Sequence, residues 1–347
     1  MIRLLLVEDS AVQRELLRYV LEDSGEFEVV GTAADGEAAV EQAALLKPEI
    51  ILMDCHMPKL DGIGATRLIM ESHPTPIVIT SASSSPRDVE LTFDAIKNGA
   101  LAVVSKPRAI GSPTFERDTA HLIRTLCLMS EVKVVRRWAR HAEGDAVKTS
   151  PPAPRNRDLQ AIGLVGSTGA PGIIEEILSG LRDGAQAPVL IVQHMAAGFV
   201  DGFALWLSAR TGIDVQLAVD GQHARPGCAY IGPDGHHLGI TPLGRLRLSD
   251  EAEDGGFRPS GNYLLRSLAS VYGPGAMGIV LTGMGRDGAA GLFELQRAGG
   301  ITVAQSEESC VVFGMPREAI RLGAAQHVLA PPEIIALIRA SAAPRAS

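Results

Sequence analysis

Short apolar runs alternate with helical patterns through the first 128 residues. The runs fall at 4–7, 27–30, 50–53, 77–80 and 101–104, and the segments between them carry apolar positions at helical spacing, as in Val12, Leu16, Leu17, Val20 and Leu21. Parallel strands need crossover connections, so this rhythm predicts a parallel sheet with helices on both faces. Five such units make a small doubly wound α/β domain of the flavodoxin-like kind. The rhythm resumes at 161–165 and continues with a helix from about Gly172 and strands at 189–193, 278–282 and 301–304. This predicts a second, Rossmann-like α/β domain. Within it, residues 236–249 alternate about Pro242-Leu243-Gly244, which predicts a hairpin insertion.

The stretch between the two rhythms differs. Residues 131–158 contain Lys133, Arg136, Arg137, Arg140, Lys148, Arg155 and Arg157 against four acids, and they include Ser150-Pro151-Pro152-Ala153-Pro154. Prolines without donors read as a semi-rigid linker. The expected organisation is a first domain over 1–128, a linker over 129–158 and a second domain over 159–347.

Composition narrows the class. A hydrophobic content of 46% with 4% aromatic residues suits Val, Ile, Leu and Ala strands covered by helices. The net charge of −8 argues against a nucleic-acid binder, which needs a basic face to displace counterions. The four cysteines, Cys55, Cys127, Cys228 and Cys310, are far apart and read as reduced, packed thiols. The N-terminus reaches an acidic pair too early for a signal peptide, and no apolar run approaches the ~20 residues that span a bilayer. A cytoplasmic protein without direct membrane insertion is expected.

Candidate chemistry gathers at predicted strand ends, where open parallel sheets form their ligand crevice. In the first domain these positions carry Glu8-Asp9, Asp54, Ser81 and Lys106. Asp54 suits a phosphate acceptor, because a carboxylate can attack phosphorus to give an acyl phosphate. Glu8 and Asp9 suit Mg²⁺, which neutralises the incoming phosphoryl group. Ser81 would donate its hydroxyl to a phosphoryl oxygen, and Lys106 would supply a fixed positive charge. A cis bond at Lys106-Pro107 would aim that lysine.

The second domain opens with Gly163-Leu164-Val165-Gly166-Ser167-Thr168-Gly169, a turn that could carry a dinucleotide pyrophosphate or present a serine. The glycine spacing lacks the Gly-x-Gly pairing that lets backbone approach a pyrophosphate, and the next strand ends at Gln193-His194 without an acid. A serine there stands near a helix N-terminus whose N–H groups can stabilise negative charge. It needs a base, and His194 at a neighbouring strand end supplies one. His236 and His237 are poorer candidates, since adjacent strand residues face opposite ways. Asp287 suits the acid that fixes the imidazole tautomer, unless it only caps the next helix. Met284 N–H offers an oxyanion donor.

Two resemblances follow from these residues. Leu5-Leu6-Val7-Glu8-Asp9-Ser10, Met53-Asp54-Cys55-His56-Met57-Pro58-Lys59-Leu60-Asp61-Gly62 and Ser105-Lys106-Pro107 resemble a response-regulator receiver domain. Glu8 stands where that family usually has Asp, and Val103 where many receivers carry an aromatic residue. The resemblance implies Mg²⁺ held by Glu8, Asp9, Asp54 and the Cys55 backbone carbonyl. Ser167-Thr168-Gly169, Gln193-His194-Met195, residues 282–288, Phe257-Arg258-Pro259-Ser260 and residues 311–319 resemble the chemotaxis protein-glutamate methylesterase family. Gly261-Asn262 departs from the Val-Asp-like pair of relatives, so contacts near the cleft are expected to differ.

That second resemblance implies a phosphorylation-activated hydrolase of glutamate γ-methyl esters on the cytoplasmic domain of a methylated chemoreceptor. Deamidation of particular glutamines is a further implied activity. Ser167 would be the nucleophile, His194 the base and Asp287 its partner, with Thr168 and Met284 positioning substrate and oxyanion and no metal required for hydrolysis. A chemotaxis-type histidine kinase would phosphorylate Asp54. The rival readings are a non-catalytic receiver-containing adaptor and a nucleotide-dependent enzyme.

Overall fold

The computed structural model describes residues 1–81, 86–107, 110–132, 134, 159–182, 187–195 and 198–342. The chain divides into two compact units, Met1–Ala146 and Val147–Ser347. Apart from residues 129–132 and 134, the expected linker lies outside the described residues.

The first unit runs β1 (Ile2–Val7), α1 (Ala11–Asp23), β2 (Phe27–Ala33), α2 (Gly36–Leu46), β3 (Ile50–Asp54), α3 (Gly62–Ser72), β4 (Ile77–Ser81), α4 (Pro86–Lys97), β5 (Ala102–Ser105) and α5 (Phe115–Ser130). Its five strands pair in parallel in the order β2-β1-β3-β4-β5. Chain direction across the sheet reverses between β1 and β3, which opens a crevice beyond their carboxyl ends. Strands β3 and β4 are buried along their whole length, as their unbroken apolar runs require when helices cover both faces. Each buried Leu or Ile contributes roughly 1.5–3 kcal/mol. Helix starts are set by side-chain caps: Ser10, Asp35 and Asp61 accept from the backbone N–H groups of Gln13, Ala38 and Gly64.

Val12 is 80% exposed, whereas Leu17, Val20 and Leu21 are buried. Val12 lies in the first turn of α1.

The second unit runs β6 (Ala161–Gly166), α6 (Ala170–Leu181), β7 (Val189–Gln193), α7 (Val200–Thr211), β8 (Asp214–Leu217), β9 (Cys228–Ile231), β10 (His237–Ile240), β11 (Leu246–Ser249), α8 (Gly261–Tyr272), β12 (Ala276–Val280), α9 (Ala289–Arg297), β13 (Ile301–Gln305), α10 (Met315–Arg321), β14 (His327–Leu329) and α11 (Pro331–Ala342). Seven strands form a parallel sheet in the order β14-β13-β12-β6-β7-β9-β8. Here the direction reverses between β6 and β12. The expected hairpin is present as the antiparallel pair β10-β11, turning at Gly244 with φ +69°. Strands β8, β9 and β14 were not legible as apolar runs; each spans only three or four residues. Helix α6 starts two residues earlier than expected, with Pro171 in its first turn. Among the described residues no helix is long and apolar enough to cross a membrane.

Candidate active site and phosphoacceptor site

In the first unit, Glu8 leaves the end of β1 fully buried and Asp54 closes β3 at 4% exposure, while Asp9 faces solvent. One ligand oxygen from each of the three carboxylates lies within 4.8 Å of the others. Lys106, just past β5, places Nζ 2.8 Å from Glu8 Oε2 and 2.8 Å from Asp54 Oδ2. Burial drives the Glu8 carboxyl above its ordinary range; Lys106 opposes that and the Asp54 charge reinforces it. Burial also works against the charged Lys106, but its bonds to Asp54 and Glu8 outweigh this and hold its pKa above the usual lysine value. The concentrated carboxylate charge fits a hard cation with oxygen ligands, which would relieve the repulsion between Glu8 and Asp54.

Ser81 ends β4 buried, and its carbonyl accepts the Lys106 N–H at 3.0 Å, so serine and lysine leave adjacent strands side by side. The Cys55 carbonyl, the oxygen expected as a further metal ligand, accepts the Gly62 N–H at 3.0 Å, a bond that closes the β3–α3 loop. The Lys106-Pro107 bond is not cis; among the described residues the cis bond is Arg258-Pro259. Val103 packs against the first unit's core.

A Cβ at Gly62 would run into the backbone carbonyl of Asp54. Gly62→Ala is therefore expected to destabilise the first unit by roughly 1–3 kcal/mol, as overpacking does, and to disturb the Asp54 loop. Urea unfolding of the full chain beside the wild type checks it; an unchanged first transition would refute the close approach.

In the second unit, β6 and β7 pair with Gly166 opposite Gln193, so Ser167 and His194 are the next residues off two adjoining strand ends. The buried Gln193 side chain braces them, its Nε2 donating to the Ser167 and His194 carbonyls at 2.8 Å each. His194 N–H donates to the Gly166 carbonyl at 3.0 Å. Asp287 arrives on the loop after β12, the strand on the other side of β6, and its Oδ2 lies 2.9 Å from His194 Nε2. Both ring nitrogens are buried and neither makes a hydrogen bond among the described residues; Nε2 meets the acid as an ion-pair contact, which leaves Nδ1 to accept a proton. The Ser167 hydroxyl likewise makes no hydrogen bond among the described residues.

Asp287 does cap a helix, but that helix is α8 rather than the following α9. Ser260 Oγ and the Asn262 N–H donate to its Oδ1 at 2.8 and 3.1 Å, and the Gly261 N–H donates to Oδ2 at 2.6 Å. Burial pushes this carboxyl upward, yet His194 and the α8 backbone donors outweigh burial and hold it below the usual aspartate value. Sequence reasoning missed this cradle. Ser260 just before an apolar-periodic segment was the available cap signal.

The loop over 282–288 passes close to the serine. Ser167 N–H donates to the Thr282 carbonyl at 3.1 Å, and a Cβ at Gly283 would stand 2.7 Å from Ser167 Cβ and 2.5 Å from Met315 Sδ. The backbone N–H groups of Thr168 and Met284 make no hydrogen bond among the described residues, so they remain available as donors. His237 is fully buried, with Nε2 3.1 Å from the Ala252 carbonyl and Nδ1 accepting the Ser260 N–H at 3.2 Å, and so it steadies the Asp287 cradle from behind. The Gly261-Asn262 departure serves packing. A side chain on Gly261 would strike Val165, and Asn262 Oδ1 accepts the Gly291 N–H at 2.9 Å at the start of α9.

An acidic pocket at the reversal point of one parallel sheet and a serine, histidine and aspartate at the reversal point of another define a receiver domain joined to an α/β hydrolase domain. The sequence model of the response regulator receiver domain matches residues 4–112, and that of the CheB methylesterase matches residues 162–338. Protein-glutamate methylesterase/protein-glutamine glutaminase 1 of Syntrophus aciditrophicus is 44% identical over 345 residues, covering 97% of each chain. Its counterpart in Nitrosospira multiformis is 48% identical over 332 residues, covering 95% of this chain and 94% of that one. The crystal structure of the Thermotoga maritima CheB methylesterase catalytic domain superposes with a TM-score of 0.50 at 33% identity, over 52% of this chain and 96% of that one. The chain belongs to the CheB methylesterase family, and it is an ester hydrolase built as a response regulator.

Proposed function

We propose that the chain hydrolyses glutamate γ-methyl esters, and deamidates particular glutamines, on the cytoplasmic domain of a chemoreceptor, under control of phosphorylation at Asp54. The observation that carries the reading is His194 Nε2 2.9 Å from Asp287 Oδ2, with Nδ1 unpartnered among the described residues, one residue past the strand that pairs with the one leading to Ser167. Ser167 Oγ attacks the ester carbonyl while Nδ1 takes its proton, and the resulting tetrahedral oxyanion is met by the Thr168 and Met284 N–H groups. The carbon–oxygen bond to the leaving group breaks, and methanol departs with the proton from Nδ1. Water then attacks the acyl-enzyme, gives its proton to Nδ1, and releases glutamate and the serine hydroxyl. With a glutamine substrate the leaving group is ammonia. Asp287 stays ionised and stabilises the imidazolium.

In the receiver domain, Asp54 accepts a phosphoryl group from a chemotaxis-type histidine kinase. Glu8, Asp9 and Asp54 would hold Mg²⁺, which supplies charge neutralisation for the incoming group. Lys106 and Ser81 take the remaining phosphoryl oxygens. Phosphorylation of the receiver shifts the population of the hydrolase domain toward its active form.

The test is methanol release from a methylated receptor cytoplasmic fragment, with and without a small-molecule phosphodonor and Mg²⁺. Release should rise with phosphodonor, and Asp54→Asn should keep the basal rate while losing the rise. A rise that persists in Asp54→Asn would remove Asp54 from its role. No release under any condition would favour the adaptor.

A further inference from the structure

Phe257 has no part in the proton transfers above, yet it makes the closest ring contact of the site. Its ring stacks on the His194 imidazole with centroids 4.0 Å apart and planes 3° from parallel. The turn that presents it is tightly built. Asp254 and Phe257 exchange two backbone hydrogen bonds of 3.2 and 3.3 Å across Gly255 and Gly256, whose φ angles of +66° and +87° suit a two-residue hairpin turn that side chains disfavour. On one side the Asp254 carboxylate is ion-paired with Arg266 on α8. On the other, Arg258 Nη1 donates to the Asp250 and Glu251 carbonyls at 3.2 Å each. Helix α8 therefore fixes two things at once: its N-terminus holds Asp287, and its second turn holds the Phe257 hairpin.

Those two restraints act on different freedoms of the imidazole. The ion-pair contact with Asp287 restrains one nitrogen, but the ring can still pivot about that Nε2···Oδ2 line, and any pivot swings Nδ1. A flat ring against its face blocks the pivot and keeps water from that side. We propose that Phe257 is a positioning residue, whose stacked ring fixes the plane of the His194 imidazole and so holds Nδ1 where the Ser167 proton must be received. This inference rests on the Ser167, His194 and Asp287 reading above.

The test uses the full-length chain with phosphodonor and Mg²⁺, comparing Phe257→Ala, Phe257→Leu and Phe257→Tyr with wild type. Steady-state methanol release is measured alongside the proton resonances of the His194 ring, assigned with His194→Gln. The expected result is a kcat lower by about 10- to 100-fold in the alanine and leucine proteins, the scale of a small misplacement of a reacting group. KM should stay close to wild type, and tyrosine should restore kcat. The His194 ring protons should lie upfield in wild type and Phe257→Tyr, under the ring current, and lose that shift in the other two. Asp254→Asn, which loosens the turn without touching the ring, should lower kcat in the same direction.

A raised KM with intact kcat would make Phe257 a substrate contact and overturn the inference, as would His194 protons that show no upfield shift in wild type. The reading beneath it fails separately: a Ser167→Ala protein that still releases methanol would sink the triad while leaving the ring shift in place.

Discussion

Ser167→Ala is expected to abolish methanol release, with kcat lower on the order of 10⁶-fold, and His194→Gln is expected to cost about as much. Nucleophile and base act as a unit: without the imidazole the serine hydroxyl keeps its proton, and without the hydroxyl the imidazole has nothing to activate. The double variant should therefore be scarcely slower than either single one. Single-turnover release from a methylated receptor fragment separates this outcome from additivity. Doubly impaired rates equal to the product of the single effects would mean that the two residues act independently, against the arrangement of Gly166 opposite Gln193 and the brace that joins the two strand ends.

The second large effect is expected at Asp287. Asp287→Asn should lower kcat by about 10⁴-fold, because an amide in place of the carboxylate favours the wrong imidazole tautomer. It should also lower stability. The carboxylate accepts from Ser260, Gly261 and Asn262 at the start of α8, and an amide nitrogen facing the Gly261 N–H turns an attraction into a clash of donors. A cost of roughly 1–3 kcal/mol follows from leaving a buried donor unpaired.

The pH dependence has a definite sign. The folded pKa of Asp287 is depressed, with burial as the largest influence but outweighed by His194 and the α8 donors. Its stabilisation is therefore fully present above the unfolded aspartate value of about 3.9 and is lost as pH falls through the lower folded value. The gap in melting temperature between wild type and Asp287→Asn should be open at neutral pH and narrow in acid. A gap that stays constant down to the acid limit would contradict the assignment.

Much of this was legible in the chain because parallel sheets announce themselves. Residues 50–53 and 161–165 are buried on both faces, so they read as unbroken apolar runs, and the chemistry-bearing residues stand one or two positions beyond such runs. Glu8, Asp54 and Lys106 could be placed together, as could Ser167 and His194, because strand ends share one edge. The Asp287 cradle was less accessible. Its donors are backbone N–H groups, which carry no residue-specific signal, and Ser260 reads as an ordinary helix cap until the fold brings it against a loop 27 residues away. The stack of Phe257 on His194 was hidden for a similar reason, since a lone aromatic residue after two glycines shows nothing of what its ring will face. Strands of three or four residues, such as β14, are too short for periodicity to register.

The strand order also sets a timetable for synthesis. Asp287 follows β12, which pairs with β6 although 109 residues lie between the ends of the two strands' sequence neighbours Gly166 and Ala276. Everything up to Tyr272 can leave the ribosome and the two ends carrying Ser167 and His194 can already be paired, while the acid and its loop are still inside the exit tunnel. Long-range parallel pairing is slow to form in any case. On the proposed function, a nascent or prematurely terminated chain would carry a folded receiver domain ahead of a hydrolase domain still without its acid, and full hydrolysis would wait until nearly the whole polypeptide has been made.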